Sequence, residues 1–224
     1  MLILAFDAST PVVAVAVASV EGETREVLAE VSVSARGASE ALLPAVDAAL
    51  DLAGGDLASV ERVLAGVGPG NFTGIRIAAA TARALALATG AALSKNSTLA
   101  ALAAPALSGG HAEVLAVLDA RRGQVFAQRF SETGPVAEIS CERPVDLSTE
   151  GAPLLVGDGA VRYREALSSL GRIPADDSLL HRVTAAGHVF SADLAAVGAG
   201  ELVPIYVREP DAEVRREFNP WSRP

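Results

Sequence analysis

A glycine-rich run in the first half of the chain has the residue types and spacing of a helix N-terminus that could bind an anion. Residues 66–76 read GVGPGNFTGIR and follow a short apolar run. Glycine permits close backbone approach, Asn71 or Thr73 could cap the next helix, and the amide groups and dipole of such a helix attract anions. The same glycines could instead serve a tight turn and close packing. The candidate anion contacts are Gly68, Gly70 and Thr73. The Gly-Lys-Ser/Thr ending of a P-loop is absent, which excludes P-loop NTPase chemistry.

A second candidate is the first turn, Asp7-Ala8-Ser9-Thr10, which separates two apolar runs. It resembles the phosphate-binding hairpin of actin-like ATPases and sugar kinases. In those proteins the aspartate helps to organise the metal and small polar residues donate to phosphate, which makes Asp7, Ser9 and Thr10 candidate nucleotide or anion contacts. Ala8 or Ser9 stands where such a turn usually has glycine, which limits backbone approach. A simple hairpin in which Asp7 and Ser9 bond to their own backbone explains the same residues.

The three histidines, His111, His181 and His188, lack the spacing of a hydrolytic metal site. Such a site normally takes two helical histidines four residues apart and a third ligand. No Gly-x-Ser-x-Gly nucleophile elbow occurs in the sequence. We therefore expect no metal site and no catalytic residue, with each histidine either exposed or satisfied by its neighbours.

A charged run, Asp119-Ala120-Arg121-Arg122-Gly123, lies between two predicted strands. It could be a hairpin turn at the edge of a sheet, or Arg121 and Arg122 could hold an acidic partner segment. The sequence leaves both alternatives open.

Composition and charge restrict the function further. The chain has 224 residues, is 50% hydrophobic and carries a net charge of −9, which argues against disorder and against a stand-alone nucleic-acid binder. Cys141 is the only cysteine, so no intramolecular disulfide can form and we expect a cytoplasmic location. No acidic residue occurs between 62 and 112, where Arg62, Arg76, Arg83 and Lys95 stand. This positive window could approach phosphate or an acidic partner.

The hydrophobic periodicity predicts an α/β chain built from two similar units. In the first, strands at 2–6, 12–17, 25–33 and 62–67 accompany helices at 39–53, 73–88 and 97–107, with Ser39 as N-cap of the first helix. In the second, strands at 113–118, 124–130, 136–140 and 154–156 accompany helices at 161–170 and 185–194. Each unit has three strands, then a short parallel strand and helices, which indicates an internal structural duplication. We expect an N-terminal lobe at 1–108, a C-terminal lobe at 109–210 and a polar tail at 211–224.

The two long helices of the first unit are candidates for subunit contact. Small alanine side chains cover most of the second, which permits close helix packing either within the chain or against another subunit. The two helices could supply the roughly 800 Å² per partner that a stable interface needs. The predicted interface residues are Ser39, Leu42, Leu43, Val46, Phe72, Arg76, Ala79, Ala80 and Arg83.

Five segments together resemble the TsaB (YeaZ) family, in the same order and over residues 2 to about 212. These segments are LILAFDAST at 2–10, GVGPGNFTGIR at 66–76, DARRGQVF at 119–126, GDG at 157–159 and PIYVREPDA at 204–212. The resemblance implies a two-lobed actin-like (ASKHA, ribonuclease H-like) fold with a degenerate second lobe. Ala38-Ser39-Glu40 departs from the usual His-Ser-Glu of the family, and Asn71 stands where serine is more usual.

The resemblance also implies a function in making N6-threonylcarbamoyladenosine next to the anticodon of tRNA. A catalytic paralogue, TsaD, carries the metal site and transfers the threonylcarbamoyl group, while this family serves as the dimerisation subunit and the ATPase TsaE joins the complex. The implied partners are TsaD and TsaE, with a homodimer when TsaD is absent, and tRNA only through the complex. No cofactor is required of this chain, and ATP or ADP is allowed at the partner interface.

Two other functions compete with this one. Asp7, Ser9, Thr10 and the glycine turn would also suit an active small-molecule kinase or ATPase of the same fold. A metalloprotease is the third hypothesis, against which the scattered histidines argue.

Overall fold

Two mixed β-sheets organise the chain in the computed structural model, which describes residues 1–34 and 37–208. The first sheet has the strand order β3-β2-β1-β4-β5, in which β1 to β3 are antiparallel and β4 and β5 run parallel to β1. Its strands are β1 (Leu2–Asp7), β2 (Val12–Glu21), β3 (Thr24–Ser34), β4 (Arg62–Gly66) and β5 (Ala92–Asn96). The first turn and the start of the glycine run therefore lie side by side, at the ends of the neighbouring strands β1 and β4.

The position of each strand in this sheet explains its sequence. The central strands β1 and β4 are buried on both faces and are almost continuously apolar. The edge strand β3 alternates between partly buried and exposed residues, because only one of its faces packs on the protein.

The second sheet repeats the strand plan of the first sheet in a reduced form. Its order is β10-β6-β7-β8, with β9 also paired to β7; β6 and β7 are antiparallel, and β10 is parallel to β6. The strands are β6 (Glu113–Arg121), β7 (Gln124–Ser131), β8 (Gly134–Pro135), β9 (Ser140–Glu142) and β10 (Leu154–Val156). The described chain has no helix between β9 and β10 to match the long helix between β3 and β4, so the second lobe is the reduced copy.

Helices lie outside and between the two sheets. They are α1 (Ala38–Ala53), α2 (Phe72–Thr89), α3 (Thr98–Ser108), α4 (Asp158–Arg162), α5 (Arg164–Leu167) and α6 (Ala185–Ser191), with 3-10 turns at Leu57–Ser59 and Leu179–His181. Helices α1 and α2 cover the outer face of the first sheet, α6 covers its inner face, α3 lies between α6 and the second sheet, and α4 and α5 lie beyond that sheet. Within the described residues, no helix is long and apolar enough to cross a membrane.

Most predicted elements are confirmed, with corrections at their ends. Strand β5 was not predicted, because its polar edge sequence carries no clear period of two. The predicted strand at 136–140 is wrong, since pairing instead involves Gly134–Pro135 and Ser140–Glu142. The predicted helix at 161–170 is two short helices, and Ser39 lies in the first turn of α1 while Gly37 occupies the N-cap position.

The two lobes exchange helices across the predicted boundary at residue 108. Helix α3, from the first predicted lobe, packs in the core of the second sheet, and α6, from the second predicted lobe, packs on the first sheet. The division itself stays a prediction, and the predicted tail at 211–224 lies outside the described residues.

Residues 193–208, here called the strap, return along the first lobe. The Val197 amide donates to Leu93 O at 2.8 Å, the Ile205 amide donates to Val67 O at 2.7 Å, and Leu202 is fully buried in the core of the first sheet. All four cations of the acid-free window hold this segment. Arg62 donates to Leu194 O, Arg83 to Ala199 O and Leu202 O, Lys95 to Glu201 O, and Arg76 to the Tyr206 hydroxyl. The positive window thus holds the strap within the chain, and its approach to phosphate or to an acidic partner stays a prediction.

Candidate functional site

The structure divides the predicted interface residues between the surface and the core. Leu42, Val46 and Ala79 are each at most 2% exposed, because they belong to the stripes by which α1 and α2 pack on the first sheet. A helix face that packs on its own sheet cannot also meet a partner, so their assignment to the interface is wrong. Arg83 is half-buried and its guanidinium donates to Ala199 O at 2.8 Å and to Leu202 O at 2.6 Å in the strap, and its assignment to the interface stays a prediction.

The other predicted interface residues lie on a surface formed by the exposed sides of α1 and α2, here called the outer helix face. It consists of the predicted Ser39, Leu43, Phe72, Arg76 and Ala80, together with Leu87, whereas Leu52 is exposed on the opposite flank of α1 from Leu43. Leu87 is 88% exposed and Leu52 is 69% exposed, although both are large and apolar. The sequence prediction missed Leu87, and the available signal was that it does not fall on the buried helical stripe. Isolated apolar surface residues are common, but several on two adjacent helices mark a candidate interface.

An aromatic cluster at one end of the outer helix face fixes the position of Arg76. Its guanidinium carbon lies 3.6 Å from the Phe72 ring centroid and 5.6 Å from that of Tyr206. Arg76 Nε also donates to the Tyr206 hydroxyl at 2.8 Å, and the two ring centroids are 5.4 Å apart. Strap and α2 therefore present one preorganised cationic and aromatic group at the surface.

The first turn is the second candidate region, and its polar groups are bonded internally. Asp7 is 1% exposed; its Oδ1 accepts from the Ser9 amide at 2.6 Å, and its Oδ2 accepts from Thr98 Oγ1 at 2.7 Å and from His188 Nε2 at 2.8 Å. Because the only hydroxyl proton of Thr98 goes to Asp7, Ser9 Oγ is the donor in its 2.9 Å bond to Thr98 Oγ1. The turn therefore matches the simple-hairpin interpretation in part, with two unforeseen partners from distant helices.

The electrostatics of Asp7 follow from this network. Burial raises the pKa of Asp7, but the hydrogen bond and electrostatic attraction of His188, with the bonds from Ser9, outweigh burial and hold it below the ordinary value of 3.8. The carboxylate is thus held ionised inside the protein by groups of this chain.

The glycine run packs against the back of this turn. A Cβ atom at Gly66 would overlap the Asp7 carboxylate, one at Gly70 would overlap Ser9, and one at Gly74 would overlap the Ala8 carbonyl oxygen. The glycines therefore permit close packing of β4 and α2 on the hairpin, which is one of the two interpretations that the sequence left open.

The N-terminus of α2 is capped by its own chain. Asn71 Oδ1 accepts from the Thr73 amide at 3.0 Å and from the Gly74 amide at 3.1 Å, which confirms the predicted cap, and the Asn71 amide donates to Ser9 O at 2.6 Å. Thr10 Oγ1 donates to Val12 O, and the Gly68 carbonyl oxygen accepts from the Thr98 amide. The structure brings the predicted anion contacts together, and it pairs donors of Ser9, Thr10 and Thr73 with protein acceptors.

A cleft lies between this turn and the second lobe. A cavity of about 210 Å³ is lined on one side by Ser9, Gly70 and Phe72, and on the other by Asp119 and Asp158. The Asp119 amide donates to Asp158 Oδ1 at 3.0 Å. Partial burial raises the pKa of Asp158; the bond from the Asp119 amide opposes this effect, and repulsion from the Asp119 carboxylate adds to it.

The charged run at 119–123 forms a hairpin turn beside this cleft. Arg121 and Arg122 have φ values of 64° and 53°, in the left-handed region that a tight β6–β7 connection requires. The Asp119 carboxylate lies 3.6 Å from Arg121 and 3.4 Å from Arg162. These contacts support the turn interpretation, and the role in holding an acidic partner segment stays a prediction.

The histidines take separate places. His188 is fully buried on Asp7, His181 Nδ1 accepts from the Gly157 amide at 3.1 Å, and His111 is partly exposed. In the ranges 1–34 and 37–208, no three histidine, cysteine, aspartate or glutamate side chains are grouped to hold a metal ion. Sequence reasoning missed the role of His188, because no local pattern links it to a residue 181 positions away.

Comparison with known proteins decides the family. A family model described as TsaD, tRNA N6-adenosine threonylcarbamoyltransferase, matches residues 27–168. The tRNA threonylcarbamoyladenosine biosynthesis protein TsaB of Escherichia coli is 35% identical over 193 residues, covering 80% of this chain and 81% of that protein. The chain belongs to the TsaB family.

Two further proteins are similar to this TsaB-family chain over nearly its whole length. An uncharacterised protein of Mycobacterium tuberculosis is 32% identical over 216 residues, which cover 94% of this chain and 93% of that protein. The structure of YeaZ from Pseudomonas aeruginosa matches with a TM-score of 0.77 and 25% identity, covering 92% of this chain and 99% of that one. The predicted two-lobed actin-like fold is therefore confirmed for this TsaB-family chain.

Proposed function

We propose that the chain is the non-catalytic dimerisation subunit of a complex that adds threonylcarbamoyl to N6 of the adenosine next to the anticodon of tRNA. Family membership supports the pathway, since the Escherichia coli relative is named for threonylcarbamoyladenosine biosynthesis. The observation that carries the scaffold role is the outer helix face, where Leu43, Phe72 and Leu87 are exposed on two adjacent helices. The partner that this face would meet is the catalytic subunit TsaD or, in its absence, a second copy of the chain.

The internal bonding of the first turn supports a role without catalysis. Asp7 and Ser9 would be the groups of a kinase or ATPase of this fold, and both are buried with hydrogen-bond partners inside the protein. We therefore assign the transfer step to TsaD and the ATPase step to TsaE. ATP or ADP, where the complex holds it, is assigned to the partner interface.

The charge of the chain fits contact with tRNA through the complex rather than alone. Its net charge is −9, and the four cations of the acid-free window are engaged by the strap. Since phosphate contacts supply most of the affinity for nucleic acid, we expect the isolated chain to bind tRNA weakly.

Reconstitution of tRNA modification tests the whole proposal. TsaD, TsaE, tRNA and the threonylcarbamoyl donor are combined with and without the full chain, and N6-threonylcarbamoyladenosine is measured by mass spectrometry. We expect product formation to rise at least tenfold when the chain is present. Equal yields with and without it would refute the scaffold role.

Charge insertion into the outer helix face tests the interface. Ala80→Arg and Leu87→Arg place a cation where an apolar partner surface would have to desolvate it, so co-purification with TsaD should fall at least tenfold. Leu179→Arg is the matched control, because Leu179 is 71% exposed on the other lobe. All three variants should melt within about a degree of the wild type, since each side chain already faces solvent. An intact complex with both α2 variants would place the interface elsewhere.

A further inference from the structure

The buried contact between Asp7 and His188 joins β1 to helix α6, which lies 181 positions later in the chain, and it has no part in the proposed scaffold function. Asp7 ends β1 in the first lobe, whereas His188 lies on α6, which follows the whole second sheet in the chain. The two side chains are 1% and 0% exposed, and 2.8 Å separates Asp7 Oδ2 from His188 Nε2. Such a contact has to be explained, because isolated ionisable groups are costly to bury.

The geometry does not fit the ligand that the actin-like fold implies at this turn. A metal-bound phosphate would need an open Asp7 oxygen towards a hydrated cation and free donors on the small polar residues. Both Asp7 oxygens accept hydrogen bonds from the protein, and the Ser9 amide and hydroxyl both donate hydrogen bonds to protein acceptors. A carboxylate only accepts, so His188 Nε2 must be the donor and has no lone pair with which to bind a metal.

Helix α6 is clamped in the position that delivers His188. The Ala186 amide donates to Glu30 Oε1 at 3.1 Å near the start of the helix, while Arg25 donates to Val189 O at 2.6 Å and to Ala192 O at 2.9 Å near its end. Both clamping residues come from strand β3. A Cβ atom at Gly187 would overlap the Ala101 carbonyl oxygen, so the helix also packs closely on α3.

We infer that His188 occupies the place at Asp7 where this fold would hold a cation and phosphate, and thereby pins helix α6 to a closed hairpin at the end of β1. This pin extends the proposed non-catalytic function. Its biological meaning rests on that proposed function, whereas the contact itself does not. His188 and Thr98 hold the carboxylate, Gly66 leaves room for it, and the hairpin is unable to admit a metal–nucleotide ligand while these contacts last.

Thermal unfolding of the isolated full chain tests the pin through a mutant cycle. Asp7→Asn and His188→Leu each remove one partner of the pair, and each should lower the Tm by roughly 10 °C, as expected for breaking a buried pair in a chain of this size. The double variant should melt close to either single one. His188→Gln keeps an N–H donor at similar reach and should recover at least half of the loss. Additive losses, or no recovery with glutamine, would overturn the pin.

Two measurements on the wild-type chain test the same contact without any variant that could fail to fold. Nitrogen NMR of the histidine side chains, of which there are three, should show one histidine whose Nε2 carries a slowly exchanging proton. Magnesium alone and magnesium with ATP, titrated to millimolar concentration, should leave that resonance unchanged. A shift of the His188 signal on addition of either ligand, or an Nε2 of His188 that carries no proton, would refute the inference.

These outcomes are separate from those of the reconstitution. Binding of magnesium–ATP at Asp7 would overturn the pin while the outer helix face could still serve as scaffold. Failure of the chain to stimulate tRNA modification would overturn the proposed function and leave the pin intact.

Discussion

The outer helix face and the first hairpin differ in where their chemical groups find partners. At the hairpin, Asp7, Ser9 and Thr98 are buried and bonded to one another or to His188. On the outer helix face, large apolar side chains stay in water and have no such enclosure, with Leu87 88% exposed. The fold thus closes the region where related architectures do chemistry and leaves open a region suited to assembly. A mutation should therefore affect folding at the first region and association at the second.

The largest expected loss of stability comes from adding one methyl group to α2 where this helix packs on the hairpin. Gly74→Ala would drive a Cβ atom into the Ala8 carbonyl oxygen, which is backbone and cannot rotate away. We expect a loss of about 3 kcal/mol or more in the free energy of unfolding, measured by urea denaturation. Gly200→Ala is the control, because open space surrounds Gly200. Similar stability of the two variants would show that the packing of α2 on the hairpin is looser than described.

The next largest effect is expected from substituting two neighbouring leucines, of which one lies on the buried face of α1 and the other on its exposed face. Leu42 is 1% exposed and Leu43 is 51% exposed. Leu42→Ala should cost about 2–5 kcal/mol of stability, whereas Leu43→Ala should cost less than about 0.5 kcal/mol. Binding to TsaD should change in the opposite order, with Leu43→Ala the more harmful of the two in a pull-down with folded protein. Loss of binding without loss of stability in Leu42→Ala would contradict the assignment of faces.

A smaller effect is expected where the strap meets α2. Arg83→Gln removes the charged donor that serves Ala199 O and Leu202 O, and should cost about 1–2 kcal/mol. Limited proteolysis should then cut within residues 193–208 sooner than in the wild type. Arg143→Gln serves as the control, since Arg143 pairs with Asp146 on an exposed surface and its loss should leave both measurements unchanged.

The smallest effect concerns the cleft and depends on pH. Because the pKa of Asp158 is raised on folding, the folded state binds its proton more tightly than the unfolded state. Ionisation of Asp158 therefore lowers stability as pH rises through and above 3.8, and the cost is fully present at neutral pH. Asp158→Asn should stabilise the chain at pH 7 by less than about 0.5 kcal/mol, since solvent screens this exposed residue. The gain should vanish near pH 3, as Tm measurements at both pH values would show.

The sequence predicts the long elements well because their buried stripes repeat at fixed spacing. The stripe containing Leu42 and Val46 identified α1, and Asn71, one of the two residues predicted to cap α2, is its N-cap. The same stripe misled the interface prediction, because apolar spacing alone does not tell packing on the protein's own sheet from packing on a partner.

The hairpin network and the strap could not be predicted, for two different physical reasons. His188 lies 181 positions after Asp7 in the chain, so their contact has no local sequence signal. The arginines and the lysine that hold the strap donate mainly to backbone carbonyl groups, such as Leu202 O and Glu201 O. Every residue has a carbonyl group, so the sequence does not mark which ones will be acceptors.

The path of the strap has a consequence for synthesis of the chain on the ribosome. Leu202 fills the core of the first sheet, and Asp7 receives its histidine only when residue 188 has been made. At about 5–20 residues per second, the start of the chain waits roughly 10–40 s for these partners. A nascent fragment ending near residue 108 would expose both the site of Leu202 and the buried carboxylate. The N-terminal half is therefore a candidate for chaperone binding until residue 202 has been made.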